Sequence, residues 1–404
     1  MADFHVDGTR LWKTLHQLAE IGATKAGGVA RVALTDADRA GRDQFVEWVT
    51  ELQCSVHIDR MGNLFARREG LDPNRDPVVI GSHLDSQPTG GKFDGAYGVM
   101  VGLEILRVLT DHDHLTAAPI EVVSWTNEEG ARFPPAMLGS GVFGGAFSLE
   151  EGLGATAQDG TVLVDELTRI GYSGSDPCGD RPVGYYLEPH IEQGPILEAS
   201  DTAVGIVTGV QGIRWYDVSI KGVEAHAGTT PMDRRSDAML SAAQLITAVD
   251  EIASSRPDGR STVGVITSTP GSRNTVAGTV DLTIDLRHPD VDELSRMNEE
   301  LVQFANSLNP SASVNQIWYS PPVNFDSDVV DAIRDSATQS GFESADIVSG
   351  AGHDAVYINR VAPAGMLFIP CEDGLSHNEA ENITQEHSTL GAEVTLQAVL
   401  RLAS

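Results

Sequence analysis

Six residues with side chains suited to metal binding or acid–base chemistry follow short apolar segments: His83, Asp94, Glu128, Glu129, His190 and His377. Imidazoles and carboxylates without cysteine suit a borderline-to-hard divalent cation such as Zn²⁺, Mn²⁺, Co²⁺ or Ni²⁺. Two cations need about this many ligands if they share one carboxylate, and Asp94, on a glycine-flanked loop, is the candidate for sharing. The pattern therefore predicts a site for a pair of divalent cations.

The adjacent glutamates Glu128 and Glu129 can divide two tasks. Neighbouring residues of an extended chain point in opposite directions, so one can bind metal while the other stays free. A free glutamate beside a metal-activated water can take its proton and deliver it to a leaving amine. Asp85, two residues after His83, could accept the second ring N–H of that histidine and fix its tautomer.

Each of these residues also has a plainer interpretation. A single histidine at a strand end is more often structural, and a glutamate pair is more often the solvated start of a helix. Four strand ends that all carry metal-type residues are hard to attribute to chance. Spacing alone, however, does not assign a residue to either ion.

The apolar segments before these residues predict buried strands. Four of them carry their polar residues at the C-terminal end: PVVIGSHLD, PIEVVSWTNEEG, GYYLEPHIEQG and PAGMLFIPCEDGLSH. The helical pattern VMVGLEILRVL follows the first. This organisation favours an α/β fold with a mostly parallel sheet, whose carboxyl strand ends meet in one crevice.

The sequence changes character between residues 209 and 321. Two segments that alternate apolar and polar residues, WYDVSIKG and GTVDLTIDLRH, are each followed by a helical pattern. This order predicts an inserted ferredoxin-like β-α-β-β-α-β unit. We therefore expect one domain made of residues 1–208 and 322–404, and a second made of residues 209–321.

The net charge of −31 argues against nucleic acid and anionic membranes as partners, because both would be repelled. No apolar run approaches the ~20 residues of a membrane span, and the charged N-terminal segment is unlike a signal peptide. Three cysteines without CxxC spacing argue against a disulfide framework. We expect a cytoplasmic protein with a small-molecule substrate.

Arginine supplies 23 of the 27 basic residues, since lysine occurs only at positions 13, 25, 92 and 221. An acidic, lysine-poor surface keeps a protein soluble where salt screens its self-repulsion. A high-salt cytoplasm is one hypothesis, and an ordinary acidic bacterial protein is the other. Full activity in low salt, with loss above about 1 M KCl, would contradict the first.

A series of long motifs spans nearly the whole chain: GSHLDSQPTGGKFDGAYGV, TNEEGARFPPAMLGS, HIEQGPILE, GVEAHAGTTPMDRRSDA, NTVAGTVDLTIDLRHPD, GAGHDA and GLSHNEAE. It resembles the zinc-dependent amidohydrolases that include N-carbamoyl-L-amino-acid hydrolases, β-ureidopropionases and allantoate amidohydrolases. These are relatives of the aminoacylases and dimetal carboxypeptidases. The resemblance implies two zinc ions, the first held by His83 and His190, the second by Glu129 and His377, with Asp94 bridging them. It makes Glu128 the general base and acid.

The resemblance also places four residues around the substrate: Gln193, His226, Asn274 and Arg287. His226 would stabilise the oxyanion, and the fork of donors on Arg287 would bind a substrate carboxylate. Gln193 and Asn274 would supply neutral polar contacts. In plainer interpretations Arg287 pairs with Asp285 or Asp290, Asn274 serves a turn, and His226 is a loop histidine.

In enzymes of this type the smaller domain forms a dimer and its histidine reaches the neighbouring site. The resemblance thus implies a homodimer with His226 acting in trans. Two positions depart from the pattern, because Ala277 and Glu379 stand where relatives often have proline. Both changes bear on the rigidity of the loops that hold Asn274 and His377.

The implied reaction is hydrolysis of the carbamoyl C–N bond of an N-carbamoyl-L-amino acid or N-carbamoyl-β-alanine, giving the amino acid, CO₂ and ammonia. The SQPTGGKFDGAYG form of the first motif favours these substrates over allantoate. They differ from each other by one methylene, which a pocket separates by only ~1–3 kcal/mol. The alternatives are an allantoate amidohydrolase, an aminoacylase or dipeptidase, and a non-catalytic metal-binding relic.

Overall fold

The structure is a computed structural model that describes residues 4–404. The helices within that range are α1 Gly8–Ala19, α2 Asp36–Glu51, α3 Ala96–Asp111, α4 Leu138–Phe143, α5 Leu149–Leu153, α6 Leu163–Ile170, α7 Ile196–Ala199, α8 Ala238–Ser254, α9 Val291–Ser307, α10 Ser327–Ser340, α11 Asp354–Ile358 and α12 Gln385–Leu402. The strands are β1 Ser55–Ile58, β2 Leu64–Arg68, β3 Val78–His83, β4 Ile120–Trp125, β5 Tyr185–Ile191, β6 Val204–Val210, β7 Gly212–Lys221, β8 Ala225–His226, β9 Arg260–Thr262, β10 Ile266–Thr269, β11 Thr275–Val276, β12 Thr279–His288, β13 Ala312–Ser320, β14 Val323–Asn324, β15 Ser344–Ser349 and β16 Ala364–Ile369.

The described chain divides into two compact units. The first comprises the residues up to Thr208 together with Phe325–Ser404, and the second comprises Gly209–Asn324. The sequence analysis placed the second boundary after residue 321. In the structure the second unit ends at Asn324, because Val323 and Asn324 pair with Val210 and Gly209, the residues with which that unit begins.

The large sheet is mixed. Its order is β1-β2-β4-β3-β5-β16-β6-β14, with β15 also paired to β6. Parallel pairing joins the four central strands β4, β3, β5 and β16, whereas β1, β2, β6 and β14 pair antiparallel. The predicted mostly parallel sheet therefore describes only the centre. On one side of the sheet β1 and β2 form a hairpin of two short strands, which needs no crossover helix.

The central strands are buried along their length, as their continuous apolar sequences predict. All residues of β3, β4 and β16 are buried, which requires covering elements on both faces of the sheet. Helix α3 approaches closely because it carries glycines: a Cβ on Gly98 would lie 2.4 Å from the carbonyl oxygen of Pro189 in β5. The helix that follows the Asp94 loop is thus packed directly against the strand that carries His190.

The second unit has its own sheet and core. Its strands run in the order β10-β12-β7-β13, all antiparallel, and β9 also pairs with β12. If the short strands β8, β9 and β11 are left out, the order along the chain is β7-α8-β10-β12-α9-β13, a β-α-β-β-α-β arrangement. Alternate residues of β12 point to one side, where Val280, Leu282, Ile284 and Leu286 form a buried core with α8 and α9.

The central strands of the large sheet end near one another. Strand β3 ends at His83, β5 contains His190 as its penultimate residue, and β4 and β16 end shortly before Glu128 and His377. The carboxyl ends of parallel strands lie at one edge of a sheet, which is where open α/β folds build their sites. Within residues 4–404 no helix combines the length and apolarity that a membrane crossing requires.

Candidate active site

His83, Asp94 and His190 form a first group of possible metal ligands. One ligand atom from each lies within 4.8 Å of the others, and all three residues are buried. Asp94 Oδ1 is 4.0 Å from His83 Nε2 and 3.3 Å from His190 Nε2. That carboxylate oxygen is buried and has no hydrogen-bond partner among the described residues. A buried, unpaired oxygen that faces two imidazoles fits a cation, which would remove the cost of burying it.

Asp94, Glu129 and His377 form a second group. His377 Nε2 is 3.3 Å from Asp94 Oδ2 and 3.2 Å from Glu129 Oε2. Hydrogen bonds to these two carboxylates raise the pKa of His377 to about 10. Its ring must release this proton to bind a cation through Nε2, so metal binding there weakens as pH falls. The two oxygens of Asp94 thus belong to different groups.

Backbone carbonyls orient both histidines of the first group. His83 Nδ1 lies 2.9 Å from the carbonyl oxygen of Asp85, and His190 Nδ1 lies 2.9 Å from that of Ile191. Since a carbonyl only accepts, each Nδ1 donates, and the lone pair of each ring lies on Nε2. His190 Nε2 accepts the backbone N–H of Gly95 at 3.2 Å, a bond that a cation would replace. The sequence analysis gave this role to the Asp85 carboxylate, which is wrong, because its Oδ1 is 4.0 Å from His83 Nδ1.

The Asp85 carboxylate instead holds the glutamate pair. Its Oδ1 accepts the backbone N–H of Glu128 and its Oδ2 accepts that of Glu129, each at 3.2 Å. Burial raises the pKa of Asp85 to about 8. The alternation rule failed here because β3 ends at His83, and beyond a strand end residues two apart need not share a side.

Glu128 and Glu129 reach different partners. Glu128 Oε2 lies 3.5 Å from His83 Nε2, while Glu129 contacts His377. The side chain of Glu128 belongs to neither ligand group. Burial, and then the negative charge of Asp354 and other nearby carboxylates, raises the pKa of Glu128 well above its ordinary value. A buried carboxyl with a raised pKa beside a metal site suits proton transfer.

Gln193 contacts the shared aspartate. Its Nε2 donates to Asp94 Oδ2 at 2.9 Å and to Ser376 Oγ at 3.2 Å. Its backbone has φ of 59°, a left-handed conformation at the turn that follows β5. In this structure Gln193 orients Asp94, and its contact with substrate stays a prediction.

Two buried residues behind the first group were not assigned a role by the sequence analysis. Glu188 accepts hydrogen bonds from Ser82 Oγ and the backbone N–H of Ala355, both at 2.7 Å. The ring of His353 packs on that of His190, with centroids 4.6 Å apart. Glu188 precedes His190 by two positions on β5, and His353 lies in the GAGHDA motif. These were the signals that could have identified them.

A third residue, Glu381, lies behind Asp94. It is 2% exposed and accepts the backbone N–H groups of Phe93 and Asp94. Burial raises its pKa to about 8. The sequence signal was its place four residues after His377, in the motif GLSHNEAE.

His226 and Asn274 lie together in the second unit. Strand β8, which ends at His226, pairs with β11, and the backbone N–H of Ala227 donates to the carbonyl of Asn274 at 3.0 Å. His226 Nδ1 accepts the backbone N–H groups of Gly228 and Thr229, at 3.0 and 3.2 Å. The neutral ring therefore carries its proton on Nε2, the atom that could donate to an oxyanion.

Arg287 pairs with Asp285, which is one of the alternatives that the sequence left open. Its Nε donates to Asp285 Oδ1 at 3.0 Å and its Nη2 to Oδ2 at 2.8 Å. The two residues are two apart on β12 and share a face. Asn274 Oδ1 accepts from Ser272 Oγ at 2.8 Å, a local contact within its loop. Substrate binding by Arg287 and Asn274 stays a prediction.

Comparison with known proteins agrees with this arrangement. A profile of peptidase family M20/M25/M40 matches residues 79–401. An N-carbamoyl-L-amino-acid amidohydrolase of Rhizobium meliloti is 45% identical, over 98% of this chain and 97% of the relative. An allantoate amidohydrolase of Bacillus subtilis is 32% identical, over 96% of this chain and 95% of the relative.

Solved structures give the same result. An amidase of the hydantoinase/carbamoylase family from Burkholderia multivorans has 51% sequence identity and a TM-score of 0.96, and covers 100% of this chain and 99% of its own. The resemblance drawn from the motifs is confirmed, and the fold is of the mixed α/β kind. This chain belongs to peptidase family M20/M25/M40.

Proposed function

We propose that this protein hydrolyses the carbamoyl C–N bond of N-carbamoyl-L-amino acids or N-carbamoyl-β-alanine, releasing the amino acid, CO₂ and ammonia. The observation that carries the proposal is Asp94, whose two oxygens serve two ligand groups, with Glu128 3.5 Å from His83. The relative from R. meliloti supports this substrate class, since it shares more of the sequence than the allantoate enzyme does.

The proposed cofactor is a pair of divalent cations. Zn²⁺ is the first candidate, and Mn²⁺, Co²⁺ and Ni²⁺ are alternatives, because all proposed ligand atoms are nitrogen or oxygen. When bound, the pair supplies Lewis acidity to a water and to the scissile carbonyl. The residues that would hold it are His83 and His190 on one side, Glu129 and His377 on the other, and Asp94 between them.

The chain itself moves the protons. Glu128 accepts a proton from the attacking water and returns it to the nitrogen of the leaving amino acid, while the remaining carbamate decomposes to CO₂ and ammonia. His226 Nε2–H donates to the oxygen that becomes negative at the ureido carbon. Arg287 binds the substrate carboxylate, which replaces some of its hydrogen bonds to Asp285. Gln193 and Asn274 supply the remaining polar contacts to the substrate.

The proposal includes a homodimer. The second unit contributes His226, and we propose that it acts in the site of the neighbouring copy while this unit closes over substrate as a lid. The neutral tautomer of His226 supports its role as a donor, because two backbone amides occupy Nδ1.

The test is a comparison of substrates. Ammonia release is measured from N-carbamoyl-β-alanine, N-carbamoyl-L-methionine and allantoate, and amino-acid release from N-acetyl-L-methionine and a dipeptide. Each is assayed with metal-loaded protein and after chelation. Turnover of a carbamoyl substrate that is lost on chelation and restored by a divalent cation is the expected result. Turnover of allantoate alone, or of the acetyl substrate or dipeptide alone, would contradict the carbamoyl assignment.

A further inference from the structure

Glu381 ties together two loops that each carry a metal-type residue. Its Oε1 accepts the backbone N–H of Phe93 at 3.0 Å and that of Asp94 at 3.1 Å. Its Oε2 lies 3.1 Å from Ser376 Oγ, and this hydroxyl also lies 3.1 Å from Asp94 Oδ2. Ser376 immediately precedes His377. One buried carboxylate thus contacts the backbone of the shared aspartate and, through a hydroxyl, its side chain.

The contact is close enough to restrict the sequence of the loop. A Cβ on Gly91 would lie 2.0 Å from the carboxyl group of Glu381, so this segment passes directly over the glutamate. A buried carboxylate is costly unless it is hydrogen-bonded. Within residues 4–404, the side chain of Glu381 bonds only at these two loops, and both of its oxygens are used there.

We propose that Glu381 is a positioning residue for metal binding: it holds Asp94 so that each carboxylate oxygen faces its own cation. The inference rests on the proposed function, since it assumes that Asp94 is shared by two ions. Gln193 and Ser376 contact only Oδ2 of Asp94, whereas Glu381 holds its backbone, and a shared ligand must satisfy two positions at once. Residues that orient ligands in this way change metal affinity by about 10–100-fold when they are removed.

Two substitutions of Glu381 test whether its hydrogen bonds are what maintains metal affinity. Glu381→Gln keeps an oxygen for the two backbone N–H groups and an N–H to donate to Ser376, so we expect near wild-type metal affinity. Glu381→Ala removes every contact, and we expect the affinity for at least one ion to fall about 10–100-fold. Affinity is measured by competition with a chromophoric chelator. The absorption spectrum of the Co²⁺-loaded protein reports on ligand geometry independently of activity.

The chain offers a matched control in Asp59. This residue is 3% exposed, its Oδ1 accepts the backbone N–H groups of Met61 and Asn63 at 2.8 and 3.0 Å, and its Oδ2 accepts from the Asn63 side chain at 2.9 Å. It makes the same kind of bonds as Glu381 but holds a turn between β1 and β2. Asp59→Ala is expected to lower Tm while leaving the metal affinity and the Co²⁺ spectrum unchanged.

The proposal is overturned if Glu381→Ala behaves like Asp59→Ala, with a lower Tm but native affinity and an unchanged spectrum. If Glu381→Ala does not fold, Glu381→Asp takes its place, because a side chain one methylene shorter cannot keep its carboxylate at both loops. Native affinity and an unchanged Co²⁺ spectrum in that variant overturn the proposal. A wild-type protein that binds no cation would refute the proposed function. If wild type and Glu381→Ala bind two ions with equal affinity, this inference is refuted and the proposed function is not.

Discussion

The two adjacent glutamates show how one dipeptide acquires two environments. Asp85 holds both backbone N–H groups, which fixes the positions from which the side chains leave. Glu129 then accepts from the backbone and side-chain nitrogens of Gln87, at 3.1 and 2.8 Å, and contacts His377. Among residues 4–404, Glu128 has only His83 within ion-pair distance, and burial raises the pKa of Glu128. One carboxylate is therefore suited to a metal and the other to a proton.

At this scale we predict that Glu128→Gln lowers kcat by about 10²–10⁴-fold, because the amide cannot accept a proton, while metal content stays at the wild-type level. Steady-state assays and elemental analysis of the same preparation measure both quantities. Glu151→Gln, an exposed glutamate in the capping box of α5, is the control and should retain full activity. Normal turnover by Glu128→Gln would remove that residue from its proposed role.

At the scale of elements, the N-terminal turn of residues 24–28 supports the loop that carries His377. Thr24 Oγ1 donates to Glu379 Oε1. A Cβ on Gly28 would lie 2.6 Å from Glu379 Cα, so only glycine fits against this loop. The next residue, Val29, exchanges backbone hydrogen bonds with Gly90 in the Asp94 loop. Relatives often have proline at the position of Glu379. In this chain a hydrogen bond restrains the residue, in place of the proline ring.

We therefore expect Thr24→Val to destabilise the protein by about 1 kcal/mol and to weaken metal binding, since it removes the hydroxyl at nearly constant volume. Denaturant unfolding and chelator competition measure the two effects. Thr24→Ser keeps the hydroxyl and should behave like wild type. Identical stability and metal affinity in the valine and serine variants would show that the hydrogen bond to Glu379 restrains nothing.

At the scale of the whole molecule, the net charge of −31 is a property of the surface rather than of the fold. In the proposed homodimer each site would use Glu128 of one copy and His226 of the partner subunit. Such a shared site makes a specific prediction about mixed dimers, since two defects on different subunits leave one of the two sites intact.

Mixing the inactive variants Glu128→Gln and His226→Ala under conditions of subunit exchange should restore about a quarter of wild-type activity, because half of the dimers are mixed and each has one complete site. Activity is assayed before and after exchange, and the dimer is verified by light scattering. The same variants kept apart provide the baseline. A dimer that exchanges subunits but gains no activity would show that His226 acts within its own chain.

The amino-acid sequence by itself determined the elements with strong local patterns. Continuous apolar runs before His83, Glu128, His190 and His377 identified the central strands, and polar residues at their ends identified the candidate ligands. Strict alternation identified β7 and β12. These features could be predicted because burial on two faces or on one face leaves a periodic signature in consecutive residues.

Only the tertiary structure decided the contacts between distant segments. It showed that Asp85 uses its carbonyl for His83 and its carboxylate for the glutamate pair, that Arg287 pairs with Asp285, and that the outer strands of the large sheet run antiparallel. It also brought Glu381 to Phe93 and Asp94, almost three hundred positions away. Hydrogen bonds of this kind depend on where the backbone turns after each strand end, and that direction leaves no periodic trace in the sequence.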